Sequence, residues 1–466
     1  MNYVGTARPI HDAKGKATGY TKYAGDLSLP NMAYLCMLHS KIPHGYVKAV
    51  HAEKALALPG VYGVYHCLNT TDRKYNRYHS NFDQAYLPNE ECAFNDYVRF
   101  VGDKIGVVAA CDQETAERAA RLVEVEYEEL PFSIGFDDTL AGKNCLEGET
   151  PVRDEYTLEV GKKQESTEGL IEVCSTMELP RLHHAAMETH ACIADYDPYS
   201  DMLTVYCPNQ AVHGIRTVLA DFLEMPESHV RVVKATMGGS FGAKQEWFLE
   251  PVTALVAKKL CRPVKLVYSR GEAMTDTIVR GAMRMSARGY YTPDGEMKEI
   301  YCDVTLDAGA YIGNAGDYIR ALAGKPTRCY RIPYMHYHGQ VISSNSPVSG
   351  AFRSWSAAEE ALMMERQIDA AAEKLGIDRL TIRLKNVAHA GEEDKKLHLS
   401  LEDIRIGDAI TLGSEKFGWD KLNAEDAAFN ASQQRYRRGV GIGIGGHGNT
   451  YFPRFNDYGE GSISLN

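Results

Sequence analysis

One short run in this chain has the residue types and spacing to bind a large anionic cofactor through its backbone. It reads Met237-Gly238-Gly239-Ser240-Phe241-Gly242-Ala243-Lys244-Gln245-Glu246. Glycine has no Cβ, so Gly238, Gly239 and Gly242 can adopt positive φ angles and let a ligand approach the backbone N–H groups. A tight structural turn with no ligand is the alternative interpretation.

Two familiar phosphate-binding patterns do not fit the chain. The Walker pattern needs Gly-Lys-Ser/Thr at its end, whereas Lys244 follows Ala243 and precedes Gln245. A dinucleotide pattern of glycines occurs at 441–446, but residues 447–459 contain glycines, a proline and aromatics where a helix should begin. We therefore interpret 441–446 as an ordinary glycine-rich strand.

Hydrophobic periodicity predicts the elements that would position the glycine-rich run. They are strands at 61–65, 106–110 and 230–234, and helices at 113–122, 251–260 and 357–375. Gly376 follows the last helix as a stop signal. Strands and helices do not alternate regularly in the second part of the chain, so we predict an α+β fold.

Composition divides the chain into two parts. With 466 residues, 44% hydrophobic and 24% charged, it is long enough for two or three hydrophobic cores. Residues 136–165 are rich in acids and glycine and poor in apolar positions, which favours a linker. We predict a first domain at 1–135, a linker at 136–165 and a second domain at 166–466.

Charge and hydropathy exclude some classes of function. The formal net charge of −11 argues against a nucleic-acid-binding protein, since phosphate neutralisation needs clustered Lys and Arg. No run of 18 apolar residues occurs, so we expect no membrane span. Residues 1–16 contain no apolar signal core, and we expect a cytoplasmic protein.

The cysteines and histidines do not form a metal-binding pattern. The eleven cysteines are Cys36, Cys67, Cys92, Cys111, Cys145, Cys174, Cys192, Cys207, Cys261, Cys302 and Cys329. None forms a Cys-x-x-Cys pair, so we expect reduced, mostly buried thiols and no iron–sulfur cluster held by this chain alone. His183, His184 and His190 lie near Glu188, but their spacing is not that of zinc ligands, and we predict a structural role.

Several further segments occur in one fixed order. They are Lys16-Ala17-Thr18-Gly19, Tyr23-Ala24-Gly25-Asp26, Phe100-Val101-Gly102-Asp103, Met187-Glu188-Thr189, Asp307-Ala308-Gly309-Ala310-Tyr311 and Ser349-Gly350-Ala351-Phe352-Arg353. Together with the glycine-rich run, they make the chain resemble the molybdenum-binding subunit of the xanthine dehydrogenase and aldehyde oxidase family along nearly its whole length. The resemblance implies an N-terminal hammerhead-type α/β domain followed by an incomplete molybdenum-cofactor-binding α+β domain.

The same resemblance implies a reaction and its cofactors. The reaction is hydroxylation of an N-heteroaromatic of the xanthine, hypoxanthine or nicotinate type, with water as the oxygen source; aldehyde oxidation is the alternative. The cofactor is molybdenum molybdopterin, for which the cytosine dinucleotide is one form. Its dithiolene holds the metal, so no direct side-chain ligand is expected. Iron–sulfur clusters and FAD are expected on partner chains, an iron–sulfur subunit and an FAD subunit.

The family's subunit continues beyond the point where this sequence stops, with a second set of cofactor loops and the catalytic glutamate. Residues 462–466 alternate like the first strand of that half. We expect either a second molybdenum-subunit polypeptide that carries the C-terminal half, or a truncated, non-catalytic scaffold.

The resemblance also assigns cofactor-binding roles. Gln210 stands where the family has a glutamine that hydrogen-bonds a molybdenum oxygen. Gly239, Phe241 and Gly242 would lie beside the metal. Arg353 belongs to the loop that places a backbone or guanidinium group near the cofactor.

The substrate pocket is assigned in the same way to Gln245, Phe352 and Trp355. Gln245 stands where some members have a purine-contacting glutamate, and Trp355 lies in a Ser-Trp-Ser segment where Gly-aromatic-Gly is usual. Arg320 resembles the arginine that stabilises developing negative charge, with a surface ion pair as the alternative.

Two further expectations concern charged residues. We expect Glu359 and Glu360 to lie on a solvated helix face, with support of the loop at 352–353 as the alternative. A hydrolase or transferase that uses Lys244 and Glu246 on an anionic substrate is a remote alternative, because no Ser/His/Asp arrangement accompanies them.

Overall fold

The computed structural model describes residues 5–78, 88–144, 146, 150–432 and 435–447. The strands are β1 (Ala33–His39), β2 (Gly45–His51), β3 (Val61–His66), β4 (Tyr97–Val98), β5 (Lys104–Ala110), β6 (Glu124–Glu129), β7 (Val152–Gly161), β8 (Ile171–Leu179), β9 (Ala191–Asp197), β10 (Met202–Cys207), β11 (Val230–Lys234), β12 (Val264–Val267), β13 (Ala282–Tyr291), β14 (Met297–Gly309), β15 (Tyr334–Ser343), β16 (Glu393–Asp394) and β17 (Leu399–Ser400). The helices are α1 (Ala13–Ala17), α2 (Glu53–Leu56), α3 (Gln113–Ala120), α4 (Phe136–Leu140), α5 (Val212–Phe222), α6 (Glu250–Leu260), α7 (Arg270–Asp276), α8 (Ala315–Ala323), α9 (Pro326–Cys329), α10 (Ala357–Leu375), α11 (Arg379–Asn386), α12 (Ile406–Phe417) and α13 (Trp419–Ser432).

The elements with the clearest sequence pattern have the predicted bounds. β11 covers the β-branched residues at 230–234, and β5 contains the strand predicted at 106–110 and begins two residues earlier, at Lys104. α10 runs from Ala357 to Leu375 and ends at Gly376, whose φ of 69° is the left-handed conformation of a glycine C-cap. These predictions are confirmed.

A seven-stranded mixed sheet joins the two halves of the chain. Its order is β11-β10-β9-β12-β1-β5-β3. β1 from the first half pairs in parallel with β12 from the second, and on its other side it pairs antiparallel with β5. Buried residues of both halves therefore share one core, packed against α5 and α6. The predicted boundary at residue 135 does not separate two independent cores.

The second large sheet positions the remaining part of the site. It has five strands in the order β7-β15-β14-β13-β8. α8 packs against β15, and α10 packs against β8 and β13, so these helices cover one face of the sheet. A smaller sheet of β4, β2 and β6 belongs to the first half. Helices and sheets therefore occur without a regular strand–helix alternation, as the α+β prediction expects.

The linker predicted at 136–165 is wrong, because this segment forms regular secondary structure. The segment contains α4 and all of β7, which pairs antiparallel with β15 through nine residue pairs. β7 lies at an edge of its sheet, and its side chains alternate between half-buried and exposed positions, so its composition resembles that of a linker.

The glycine pattern at 441–446 does not form a strand in the described residues. The segment 435–447 has no regular secondary structure, and the half-buried Ile442 and Ile444 pack against the core of the five-stranded sheet. The rest of the 447–459 segment, and the strand predicted at 462–466, lie outside the described residues. No helix in the described ranges has the length and apolar character that crossing a bilayer requires.

Candidate active site

The glycine-rich run follows β11 and precedes α6, as predicted, and it forms a loop whose backbone needs left-handed conformations. Gly239 and Gly242 have φ angles of 104° and 105°. Phe241 has a φ of 58°, which is uncommon for a residue with a side chain, and half of its surface is exposed. The loop therefore holds an aromatic ring outward between two glycines.

The loop offers backbone donors to a ligand. The N–H groups of Gly239, Ser240 and Phe241 donate to no acceptor within the described part of the chain. Below them, the Ser240 hydroxyl donates to the side-chain oxygen of Gln210 and accepts from the amide of Lys244 at 3.1 Å. Three consecutive N–H groups without an acceptor in the described residues are available to anionic or oxygen-rich groups of a ligand.

A second loop, residues 349–356, lies directly against the glycine loop. A Cβ added at Gly242 would lie 2.7 Å from the carbonyl carbon of Ala351 and 3.0 Å from the nitrogen of Phe352. Real Cβ atoms do not approach backbone atoms this closely, so only glycine allows the contact. Gly242 therefore brings the two loops together.

Glu246 joins the same two loops from beneath. Its Oε1 accepts from the Asn314 side chain at 2.7 Å and from the amide of Ala351 at 3.3 Å. The residue is 1% exposed, and burial raises the pKa of its carboxyl to about 8. At neutral pH we therefore expect a protonated, structural carboxyl rather than a nucleophile or base.

Two histidines bind the carbonyl groups of the two loops. His184 Nε2 lies 2.8 Å from the oxygen of Ala351, and His190 Nε2 lies 2.9 Å from the oxygen of Ala243. Burial lowers the pKa of both imidazoles to about 4, so both rings are neutral at neutral pH. The structural role predicted for these histidines agrees with their contacts.

Lys244 forms a buried ion pair. Its Nζ lies 2.6 Å from Glu188 Oε2 and 3.0 Å from the Glu188 backbone oxygen. The same carboxylate oxygen accepts from the amide of Gly238 at 2.7 Å. Lys244 is 1% exposed and ties the glycine loop to residues 186–190, which argues against the hydrolase alternative.

Arg280 supports the second loop. Its guanidinium lies 4.1 Å from the centre of the Phe352 ring, and it donates to the oxygen of Arg353 at 3.0 Å. Its Nε lies 2.8 Å from Glu359, which is 1% exposed. The solvated face expected for Glu359 and Glu360 is wrong: both are buried beneath the loop, and Glu359 acts through Arg280.

The Ser-Trp-Ser segment has three consecutive left-handed residues. Ser354, Trp355 and Ser356 have φ angles of 84°, 44° and 67°. The Lys325 ammonium donates to the Trp355 carbonyl oxygen and to the Ser356 hydroxyl, the latter at 2.8 Å. The Trp355 ring packs at 5.4 Å from that of Tyr318. Surrounding contacts thus hold a conformation in which glycine is usual.

Arg320 has a different setting. It lies on α8, where its guanidinium donates to both carboxylate oxygens of Asp154 on β7 and to the oxygen of Gly316 at 2.9 Å. The ring of Tyr156 lies 5.3 Å from the same guanidinium. This is the ion pair that the sequence left open as the alternative, and these contacts give no support to the catalytic role.

Most of the remaining predicted residues lie in or beside the two loops. Gln210 contacts Ser240. Gln245 is half-buried, and its backbone N–H donates to the backbone oxygen of Gly242 at 3.1 Å. Arg353 is exposed, and only its backbone oxygen is held. No group of three or more His, Cys, Asp or Glu side chains among the described residues could hold a metal ion.

None of the ten described cysteines forms a disulfide, as the sequence predicts. The described thiols are less uniformly buried than expected. Five are buried, two are half-buried, and Cys111, Cys174 and Cys261 are exposed.

Comparison with known families matches both parts of the chain. The profile of the "Molybdopterin cofactor-binding domain" matches residues 149–387, and that of the "Aldehyde oxidase and xanthine dehydrogenase, a/b hammerhead domain" matches residues 18–131. The chain belongs to the xanthine dehydrogenase and aldehyde oxidase family of molybdopterin-binding proteins. The family resemblance and the order of the two domains predicted from the motifs are confirmed.

Relatives in the family differ in length. A xanthine dehydrogenase molybdenum-binding subunit of Escherichia coli O157:H7 is 29% identical over 446 residues, which are 92% of this chain and 58% of the relative. A nicotinate dehydrogenase large molybdopterin subunit of Eubacterium barkeri is 31% identical over 384 residues, 82% of this chain and 88% of the relative. The chain thus spans a little over half the length of the first relative and nearly the whole of the second.

Solved structures of this family share the fold. The aldehyde oxidoreductase of Desulfovibrio gigas matches 91% of this chain and 47% of its own, with a TM-score of 0.83 and 24% identity. Quinoline 2-oxidoreductase of Pseudomonas putida 86 matches 92% of this chain and 56% of its own, with a TM-score of 0.80 and 24% identity.

Proposed function

We propose that this chain is the molybdenum-cofactor-binding subunit of a hydroxylase that oxidises an N-heteroaromatic of the xanthine, hypoxanthine or nicotinate type with water as the oxygen source. One observation carries the proposal. The glycine loop and residues 349–356 meet at Gly242, beside three consecutive backbone donors at 239–241 that have no acceptor in the described chain.

The residues of this site fit a molybdopterin cofactor. Free amides at Gly239 and Phe241 suit its oxygen-rich groups, and no protein metal ligand is needed, since the pterin dithiolene holds the metal. The side-chain oxygen of Gln210 accepts from Ser240, which leaves the Gln210 NH₂ group as the donor available to a cofactor. When bound, the cofactor supplies the two-electron oxidation that accompanies hydroxylation.

Side chains of this chain would shape one wall of the substrate pocket. Phe241 is half-exposed on the glycine loop, and the Phe352 ring is held by Arg280 and His184. Flat aromatic walls suit a planar heteroaromatic ring. Gln245 would give a neutral hydrogen-bonding group, so we propose that a substrate recognised through a charged side chain at this position would bind poorly.

The active enzyme would need partner chains. We propose a second polypeptide with the C-terminal half of the cofactor domain, an iron–sulfur subunit and an FAD subunit, acting together in the cytoplasm. Relatives described as subunits include the large chain of carbon monoxide dehydrogenase in Hydrogenophaga pseudoflava, which is 32% identical over 399 residues.

The experiment is an activity assay on the complex isolated through a tag on this chain, from cells grown with and without added molybdate. We expect molybdate-dependent oxidation of xanthine, hypoxanthine or nicotinate with an artificial electron acceptor, and product oxygen derived from labelled water. Oxidation of aldehydes alone would favour the aldehyde oxidoreductase alternative. A complex with no activity and no molybdenum in either culture would favour the non-catalytic scaffold.

A further inference from the structure

Residues 184–190 form a third segment of the site, between the glycine loop and residues 349–356. Its own backbone is strained, since Ala185 has a φ of 49° and is held by a hydrogen bond from its amide to His183 Nδ1 at 2.9 Å. A non-glycine residue persists in this conformation only where surrounding contacts enforce it. His184 and His190 make such contacts on either side.

Each histidine combines a ring contact with one hydrogen bond to a loop. The His184 ring packs 4.3 Å from the Phe352 ring, with an angle of 32° between their planes. The His190 ring packs edge-on at 5.7 Å from the buried ring of Phe248. The ring contacts orient each imidazole so that Nε2 points at its carbonyl oxygen.

The chemistry of the partners fixes the tautomer. A carbonyl oxygen only accepts, so the Nε2 of both His184 and His190 must carry the proton. Each Nδ1 of the neutral ring is then an acceptor, and both Nδ1 atoms are buried without a hydrogen-bond partner in the described chain. The rings therefore act through a single donor each, to Ala351 and to Ala243.

We propose that His184 and His190 are positioning residues that hold residues 349–356 and the glycine loop, respectively, in the arrangement that binds the cofactor. Neither imidazole is required to touch the cofactor. Loss of the donor leaves a loop carbonyl without its partner and frees that loop to move away from the other loop. The link to cofactor binding rests on the proposed function, whereas the effect on loop motion does not.

The test compares substitutions that separate the effect of the aromatic ring contact from that of the hydrogen bond donated by Nε2. His184→Phe and His190→Phe keep an aromatic ring but lose the donor, whereas His184→Gln and His190→Gln keep an amide donor near the position of Nε2. His44→Phe is the matched control, because the buried His44 ring also contacts a carbonyl oxygen, that of Pro131, and packs against an aromatic ring, Tyr97, but it lies outside the three segments of the site.

Two quantities are measured on the isolated complex: amide hydrogen exchange of the peptides 238–246 and 349–356, and the pterin released per chain. We expect exchange about tenfold faster in 349–356 for His184→Phe and in 238–246 for His190→Phe, each with less pterin. The Gln variants should return both quantities close to wild type, and His44→Phe should leave both peptides unchanged.

Three results would overturn the proposal. They are wild-type exchange in both the His184→Phe and His190→Phe variants, Gln variants that exchange as fast as these two, and a His44→Phe effect on the two peptides as large as theirs. If wild-type complex contains no pterin, the proposed function fails, while the exchange measurements still decide whether the histidines position the loops.

Discussion

Gly242→Ala is the substitution with the clearest structural consequence for the site. Gly242 has a φ of 105°, and an added Cβ would lie 2.7 Å from the carbonyl carbon of Ala351 and 3.0 Å from the nitrogen of Phe352. Both neighbours are backbone atoms, which cannot rotate away as the end of a side chain could. The glycine loop and residues 349–356 would have to separate.

The magnitude follows from two contributions. A left-handed conformation costs a residue with a Cβ about 1 to 2 kcal/mol. Forcing an extra carbon into a packed contact costs about 1 to 3 kcal/mol more. The sum of about 2 to 5 kcal/mol would lower the population of the closed loops by a factor of about thirty or more, since about 1.4 kcal/mol is a factor of ten.

Gly376→Ala is the matched control, because Gly376 also has a positive φ, 69°, but an added Cβ there meets nothing within 4 Å. Pterin and molybdenum per chain are measured together with the melting temperature of the isolated complex. We expect Gly242→Ala to lose most of its cofactor and Gly376→Ala to lose only stability. Equal cofactor content in wild type and Gly242→Ala would refute the close contact as the reason for glycine.

Three further substitutions test the ion pairs and the buried histidine. Lys244→Met leaves the half-buried Glu188 carboxylate without its cation, so we expect urea denaturation to show a loss of about 1 to 3 kcal/mol in the free energy of unfolding, and no loss would contradict a stabilising ion pair. Arg320→Gln removes the partner of Asp154 and should lower stability by about 1 to 3 kcal/mol with unchanged pterin content; a loss of kcat at unchanged stability would restore the catalytic role. Burial lowers the pKa of His184 to about 4. The neutral ring therefore contributes its full share of the free energy of unfolding above the ordinary pKa of 6.5, and this share is lost as pH falls from 6.5 to about 4. Between pH 7 and pH 5, the free energy of unfolding measured in urea should fall by about 2 kcal/mol more in wild type than in His184→Gln. An equal fall in both proteins would contradict a neutral buried ring.

Local sequence signals predicted the parts of the site that depend on local conformation. Glycine spacing identified the loop at 238–246, because positive φ angles at Gly239 and Gly242 need residues without a Cβ. Hydrophobic periodicity gave α10, and Gly376 gave its end. Order and spacing of the family's motifs then placed the second loop beside the first, which periodicity alone could not do.

The supporting residues could not be predicted, because their roles are contacts between distant parts of the chain. His184 and Ala351 are 167 positions apart, and Arg280 and Arg353 are 73 apart. No local pattern indicates such partners. Glu359 shows the opposite failure: its charge suggested a solvated helix face, and only the position of Arg280 explains why it is buried.

The wrong linker prediction and the untested catalytic role of Arg320 share a physical reason. β7 was assigned to a linker because its alternating acids favour loop composition, although Tyr156, Leu158 and Val160 recur with the period of a strand. Arg320 was assigned to catalysis from its place in a motif, but the α8 sequence carries no information about Asp154, which lies on a strand 166 positions away. Both cases depend on β7, an edge strand whose pairing only the fold defines.

The central claim is that the two loops meeting at Gly242 hold a molybdenum cofactor. The most direct measurement is the molybdenum and pterin content, by elemental mass spectrometry and fluorescence of the released pterin, of the complex isolated from its native cell through this chain. We predict close to one molybdenum and one pterin per chain, with a further molybdenum-subunit polypeptide in the complex. A pure complex that contains neither molybdenum nor pterin would contradict the claim.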